Sequence, residues 1–476
     1  MGFARIVVQI VSERVFPPGS NLILSQGTAN RLRLPQHPVW ITFGSATDTA
    51  FIRSTPNQTP LVRISSRLAG QLKLSQQQTL NAYYDPSSRR LQLGPLLGVL
   101  MNRNVEGSEN QLFGLMGEFL QECALAAMQK GMAFTVFPAE QVQLTEQRVR
   151  GWVFRNQSWE LVTSPLPDVI YNRITSRRIE RQPQVQQVLR SLRQSQRVHF
   201  FNETFLDKQQ VFDMLSKDPV ARSLLPESVP FQSTRLKPML EQYRFLYLKP
   251  VNGSLGQGII RLSLINGKWV CQQAEATGTV TRVFRYPKEA IRQLQRKVVG
   301  SRYMIQRGLN LVTHDGRPVD FRVLVQKNGQ GTWSVTSTVA RVANDHHIVS
   351  NLARGGTLRK AGEVLADIPL ANKPDLKQIR ERALEVAQSF EREAMGHFAE
   401  LGIDLVLDQK GKLWLLELNS KPSKTGDTIN VPTAGATRPS VSRLLDYTLY
   451  LTGWAPLLLK PITKRPLSKR TRRKRR

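Results

Sequence analysis

The chain has 476 residues but only two cysteines, Cys123 and Cys271, and six histidines. Two thiols cannot build a disulfide framework or a cysteine-based zinc site, and they fit a reducing compartment. No apolar run approaches the ~20 residues that span a bilayer. The N-terminus, MGFARIVVQIV, carries a short apolar stretch without a small-residue cleavage site, so no secretory signal is expected. Ile6 stands where a myristoylation signal places Ser or Thr. A protein kept in the cytoplasm is the expectation.

Acidic residues are also scarce: 36 Asp and Glu stand against 67 Lys and Arg, a net charge of +31. Such a balance favours anionic partners. Residues 457–476 hold ten basic side chains and no acidic one, which leaves about +21 on the rest. This segment is expected to be a disordered basic tail for a polyanionic surface; a solvated tail that only aids solubility is the plainer reading. The 40% apolar fraction excludes disorder for most of the chain, and its length implies two to four structural units.

Residues 1–92 read as a β-rich domain of short strands such as ARIVVQIV, PVWITFG, TAFIRST and RRLQLG, broken by Pro, Gly, Asn and Ser clusters. At Gly94-Pro95 the pattern changes. The strand LLGVLMN, a helix over 111–130 and the strand MAFTVFP form a βαβ unit, and PDVIYNRI adds a strand, giving an α/β domain over 93–180. From 181 to 456 strands and helices alternate again, with VHFFN at 198–202, a helix over 207–217, FLYLKP at 245–250 and a long amphipathic helix over 376–398. No internal repeat is evident. The fold class is multi-domain, α/β and α+β.

The sharpest chemical signal is GIDLVLDQKGKLWLLELNSKP, residues 402–422. It reads as a hairpin with a two-residue turn at Lys410-Gly411, where glycine accepts a positive φ. Gln409 then faces Lys412, and counting outward sets Asp404 opposite Glu417. One face carries Ile403, Leu405, Leu407, Trp414, Leu416 and Leu418 and needs a core. The other carries Asp404, Asp408, Leu413, Leu415, Glu417 and Asn419. Asp404, Glu417 and Asn419 converge at the open end, an oxygen set that suits Mg²⁺ or Mn²⁺. An ordinary amphipathic hairpin with its polar side in water explains the pattern without a metal.

FLYLKPVNGSLGQG, residues 245–258, ends an apolar strand on Lys249 and continues into a loop with Gly253, Ser254, Gly256 and Gly258. Glycines let backbone N–H groups approach an anion, and lysine adds a point charge. The run lacks the Lys-Ser/Thr pair of a Walker A loop and the spacing of a dinucleotide fingerprint. Arg322 in VDFRVLV, Arg341 in STVARV and Asn351 in SNLARGG follow in order, and arginine forks match phosphates and carboxylates. His346-His347 reads as a loop or surface pair, since adjacent residues on a strand point oppositely.

This order resembles the ATP-grasp superfamily. Asp404, Glu417 and Asn419 match its D…E-x-N metal motif, and Lys249 with the 252–258 loop matches its nucleotide-grasping strand and flap. By the same resemblance Lys208 and Lys249 contact ATP phosphates, Gln306 falls at the hinge that holds adenine, and Asp320, Arg322, Arg341 and Asn351 match the branch containing glutathione synthetases. The run RRLQLGPLLGVL, then PDVIYNRI, LKPVNGSLGQG, NLARGG and ELNSKP, is similar over about residues 35–455 to the YheC/YheD family of endospore coat-associated ATP-grasp proteins. The resemblance implies an ATP-grasp fold preceded by a βαβ pre-ATP-grasp domain, Mg²⁺-ATP as ligand, and ligation through an acyl phosphate. The carboxylate substrate and the amine or thiol acceptor are unknown. An ATP-binding coat protein without turnover is the alternative, and a nucleic-acid binder, for which no motif is present, a third reading.

Overall fold

The computed structural model describes residues 2–74, 77–102, 112–253, 257–275, 278–298, 302–343, 356–424 and 436–458. Four sheets organise them. Ser254, Gly256, Asn351, His346-His347 and the tail from 459 lie outside the described residues.

The first sheet has eight strands, from Gly2–Val11 to Arg90–Gly94, with two short helices. It contains a repeat that sequence reading missed. Helices Gln26–Leu32 and Ser66–Leu72 start forty positions apart, are N-capped by Ser25 and Ser65, and end on Arg33 and Lys73 in the left-handed region. Each is followed by an antiparallel hairpin, Val39–Phe43 with Ala46–Ala50 and Gln78–Asp85 with Arg90–Gly94. The strands that lead into the helices pair antiparallel with each other. Only Ser25/Ser65, Ala29/Ala69, Leu32/Leu72, Leu34/Leu74 and Gln36/Gln76 survive as identities in this stretch, too few to stand out against the background.

The second sheet has a parallel centre of Ala133–Phe137, Leu96–Leu100, Val169–Asn172 and His199–Phe201. Helix Gly117–Gln129 covers one face and helix Pro183–Gln194 the other. The C-terminal helix Pro439–Leu451 returns to this sheet, and Val441, Leu444, Leu445 and Tyr447 join the Gly117–Gln129 core. The expected helix over 111–130 is shorter, because its first turn is a 3-10 turn and Leu115 is 83% exposed.

The third sheet is antiparallel, with six strands from Ser228–Pro230 to Gly278–Phe284, backed by helices Ser233–Tyr243 and Pro287–Val298. The fourth orders Thr357–Lys360, Trp333–Val342, Arg317–Lys327, Glu400–Leu407 and Leu413–Asn419. Its core face packs on helices Lys208–Leu215 and Leu376–Glu393. The latter was expected to reach 398 but stops at Glu393; the Ala394 N–H bonds Phe390, and Gly396 takes φ +112°. Phe398 still packs on Phe390 after the turn.

A buried polar seam joins the second and fourth sheets. Glu400 accepts from Tyr171 and Lys424 and lies 3.5 Å from Arg173, whose Nη2 donates to the Pro422 carbonyl at 2.8 Å. Asn202 donates to the Glu400 carbonyl and accepts from the Ala399 N–H. Burial would raise the Glu400 carboxyl, but Lys424 and Arg173 outweigh it and hold it low. Glu400→Leu strands two buried cations, and is expected to cost about 3–5 kcal/mol in a denaturation experiment. The sign follows: this stability is present above the carboxyl's unfolded-state value and is lost as pH falls through the depressed folded value.

Candidate functional site

The third and fourth sheets face each other across a cavity of about 340 Å³. Phe245, Tyr247 and Lys249 alternate along one strand of the third sheet and all line it. The crossover residues Gln306 to Leu311 contribute Gln306, Arg307, Leu309, Asn310 and Leu311. The fourth sheet supplies Asp320, Arg341, Asp404, Leu416 and Glu417, and Lys208 enters at a helix start.

The acidic corner rests on strand register. Arg322 faces Asp404 and Asp404 faces Glu417 across adjacent strands, while Asp320 faces Arg341. Asp404 is 4% exposed. Arg322 grips it with Nε and Nη2, the latter at 2.8 Å, and Arg341 Nη2 reaches its second oxygen at 2.9 Å. Burial alone would raise the Asp404 carboxyl; the two guanidinium groups overcome this and hold it below the usual range. Arg341 Nε also donates to Asp320 Oδ1 at 2.6 Å. Glu417 Oε1 takes Lys208 Nζ at 2.8 Å, and the same amine donates to the Gly253 carbonyl at 2.7 Å.

The hairpin carries a correction. The turn has three residues, Gln409 to Gly411, because the Asp408 N–H bonds Lys412 and the Gly411 N–H bonds Asp408, with Gly411 at φ +80°. That shifts the strands by one relative to a two-residue turn. A bulge then inserts Leu416 between the pairs Leu405–Leu415 and Asp404–Glu417, and restores Asp404 opposite Glu417. Two departures thus cancel at the carboxylates but not between them. Leu413 and Leu415 face the core, and Leu416 turns into the cavity beside Glu417, the reverse of the expected faces. Trp414 lies outside that core and donates to Asp408.

Lys249 is a half-buried cation of the third-sheet wall. Burial lowers its amine to about 8, with Lys208 adding to the fall and Glu417 and Asp404 opposing it. Its Nζ donates to Gln306 Oε1, and Gln306 Nε2 donates to Ser228 Oγ at 3.0 Å. The Gln306 side chain therefore holds a lysine rather than pointing free at the crossover.

Residues 197–451 match the YheC/D-like ATP-grasp family. The endospore coat-associated protein YheD of Bacillus subtilis (strain 168) is 30% identical over 335 residues, covering 70% of this chain and 74% of that one. The chain belongs to the YheC/D-like ATP-grasp family. The endospore coat-associated protein YheC of the same organism is 24% identical over 313 residues, covering 64% of this chain and 85% of that one. Among solved structures, the D-cycloserine synthetase DcsG overlaps with TM-score 0.43 at 15% identity, covering 74% of this chain and 99% of that one.

The matched family region takes in both sheets that face the cavity. Of the residues singled out from sequence, Lys208, Lys249, Gly253, Gln306, Asp320, Arg341, Asp404 and Glu417 line this cavity together. Arg322 stands behind Asp404, Asn419 faces Gly402 beyond the lining, and the Gly258 carbonyl accepts from Tyr303 at 3.2 Å. Phe245, Tyr247, Arg261 and Leu416 were missed. A period-2 reading of FLYLKP from Lys249 would have found the first two; Leu416 needed the bulge.

Among the described residues no three or more His, Cys, Asp or Glu side chains gather to hold a metal ion. Asp404 and Glu417 nonetheless fit a hard dication. Each carboxylate offers about four lone-pair sites, and Glu417 Oε2 has no hydrogen bond among the described residues.

Proposed function

We propose that this chain binds Mg²⁺-ATP between its third and fourth sheets and activates a substrate carboxylate as an acyl phosphate. The observation that carries the reading is the meeting of Lys208, Lys249 and Arg341 with Asp404 and Glu417 in one cavity that aromatic and aliphatic side chains also line. Phe245, Tyr247, Leu309 and Leu416 suit a flat, largely apolar base, as in most nucleotide pockets. Asp404 and Glu417 would hold Mg²⁺, with phosphate oxygens and water completing its shell. The metal would supply charge neutralisation at the transferring phosphoryl group.

The chain's own residues do the rest. Lys249 meets phosphate oxygens from the third sheet. Lys208 exchanges Glu417 for a phosphate when nucleotide arrives. Arg322 and Arg341 keep Asp404 ionised and add positive charge where negative charge develops. A substrate carboxylate oxygen attacks the γ-phosphorus, and the bond to ADP breaks. An amine or thiol then attacks the acyl carbon, phosphate leaves, and the nucleophile's proton passes to solvent or phosphate. Positioning dominates such chemistry, so no nucleophilic serine or cysteine is needed; Cys123 and Cys271 are both buried. The spore coat is the proposed setting, following the names of the two relatives.

The test is phosphate release from Mg²⁺-ATP across pools of amino acids and short peptides. A pool that raises release and yields a mass-shifted product supports ligation. Tight nucleotide binding with no pool active would favour a coat protein that binds ATP without turnover.

The basic tail is proposed to serve adhesion rather than catalysis. Deleting residues 457–476 should leave nucleotide affinity unchanged and weaken binding to duplex DNA, used as a polyanion probe, with a shallower salt slope. Because about +21 remains, binding should weaken rather than vanish. Equal affinities and slopes would leave the tail a solubility device.

A further inference from the structure

The connection between the second sheet's strands Val169–Asn172 and His199–Phe201 is far more basic than the chain around it. Residues 173–197 carry seven arginines and one acidic residue, Glu180. Glu180 is 3% exposed and already taken: it accepts from Lys421, Thr204 and the Phe205 N–H. Arg178 and Arg181 are exposed and make no ion pair among the described residues. Arg177 is half-buried, stacked 4.7 Å over the Phe205 ring, with Nη2 on the Leu206 carbonyl at 2.9 Å. Lys421 lies 4.4 Å from the same ring centre, two residues past Asn419.

This basic corner is joined to the nucleotide cavity. Leu206, which Arg177 holds, is two residues before Lys208, and Lys208 pairs with Glu417. Burial depresses the Arg177 guanidinium, and Glu417 is the strongest influence opposing that fall. The short helix that carries Arg177 and Arg178, with Arg181 at its end, is thus tied through Leu206 and Lys208 to Glu417.

We infer that this corner receives the substrate, and that the substrate is an acidic peptide. The inference rests on the carboxylate-activating reading above. One carboxylate of the peptide sits at the γ-phosphate, and further carboxylates sit along Arg177, Arg178 and Arg181, whose planar forks suit them. A nucleic acid fits less well. It offers no carboxylate to activate, and residues 173–197 contain no Phe, Tyr or Trp on which bases could stack.

The probe is fluorescently labelled octa-L-glutamate, titrated onto the full-length protein with saturating Mg²⁺-ADP. Arg177→Gln/Arg178→Gln/Arg181→Gln should weaken it at least tenfold. Arg282→Gln/Arg285→Gln/Arg292→Gln, on the third sheet's lobe and equal in charge removed, should weaken it less than twofold. The pair Arg178→Gln/Arg181→Gln, both exposed, gives an intermediate loss and keeps the test open if Arg177→Gln disturbs folding. ADP affinity, measured by calorimetry, should be the same in the Arg178→Gln/Arg181→Gln pair and in the third-sheet control. Equal weakening by both triple variants would overturn the assignment, as would a single-stranded oligonucleotide of equal charge binding as tightly and responding alike to the patch substitutions. Lost ADP binding in the unmodified protein would instead count against the nucleotide reading, since octa-glutamate binding is read separately.

Discussion

Glu417→Gln should lower Mg²⁺-dependent ATP turnover by about 10²-fold or more, the scale of removing one preorganised electrostatic group from a reacting centre. Glu417 is the carboxylate best placed to change partners. Asp404 is gripped by two arginines, whereas Glu417 holds one lysine through one oxygen. The amide keeps an oxygen for Lys208 but loses the charge that draws a dication. Its side chain is only partly buried and lies at a bulge, so the thermal midpoint should move by no more than a few degrees. Turnover measured against Mg²⁺ concentration, with circular dichroism melting of the same samples, checks both halves. Wild-type turnover in the variant would remove Glu417 from the site.

Lys249→Met should weaken ATP binding by about 10- to 100-fold, the worth of a charged hydrogen bond lost in a buried setting. It should also change how binding depends on pH. Burial brings the amine to about 8 in the free protein, so above that pH it is mainly neutral. Bound phosphates favour the ammonium, so nucleotide binding between about pH 8.5 and 9.5 should take up close to one proton. Affinity should therefore fall as pH rises through this window. Calorimetry in two buffers of different ionisation enthalpy measures the uptake, which should disappear in the methionine variant. Uptake equal in both proteins would assign the proton to another group. The partner Gln306 makes a milder companion: Gln306→Leu frees the amine, leaves Ser228 without that donor, and should alter the uptake more than it alters turnover.

Much of the site was legible because its chemistry is local in sequence. Lys249 closes an apolar strand and precedes glycines, and Asp404 and Glu417 sit on two short strands with one turn between them. Alternation along a strand is a property of backbone geometry, so it survives without knowledge of the fold. The ATP-grasp family was readable for the same reason: its motifs are short and keep their order along the chain.

Tertiary structure decided what local pattern could not. Whether Leu413 or Leu416 meets the core depends on a bulge, and nothing in KLWLLELN separates one leucine from its neighbour. The partner of Gln306 depends on a strand far from it in sequence, Phe245–Pro250, that brings Lys249 alongside. The repeat in the first sheet is carried by caps and pairings more than by identities. Nothing in the sequence separates Glu400, Arg173, Lys421 and Lys424 from surface charges, yet their side chains are nearly fully buried where two sheets meet. Composition and spacing report what a residue can do. Burial and long-range register, set by how whole sheets pack, determine which neighbours it acts on.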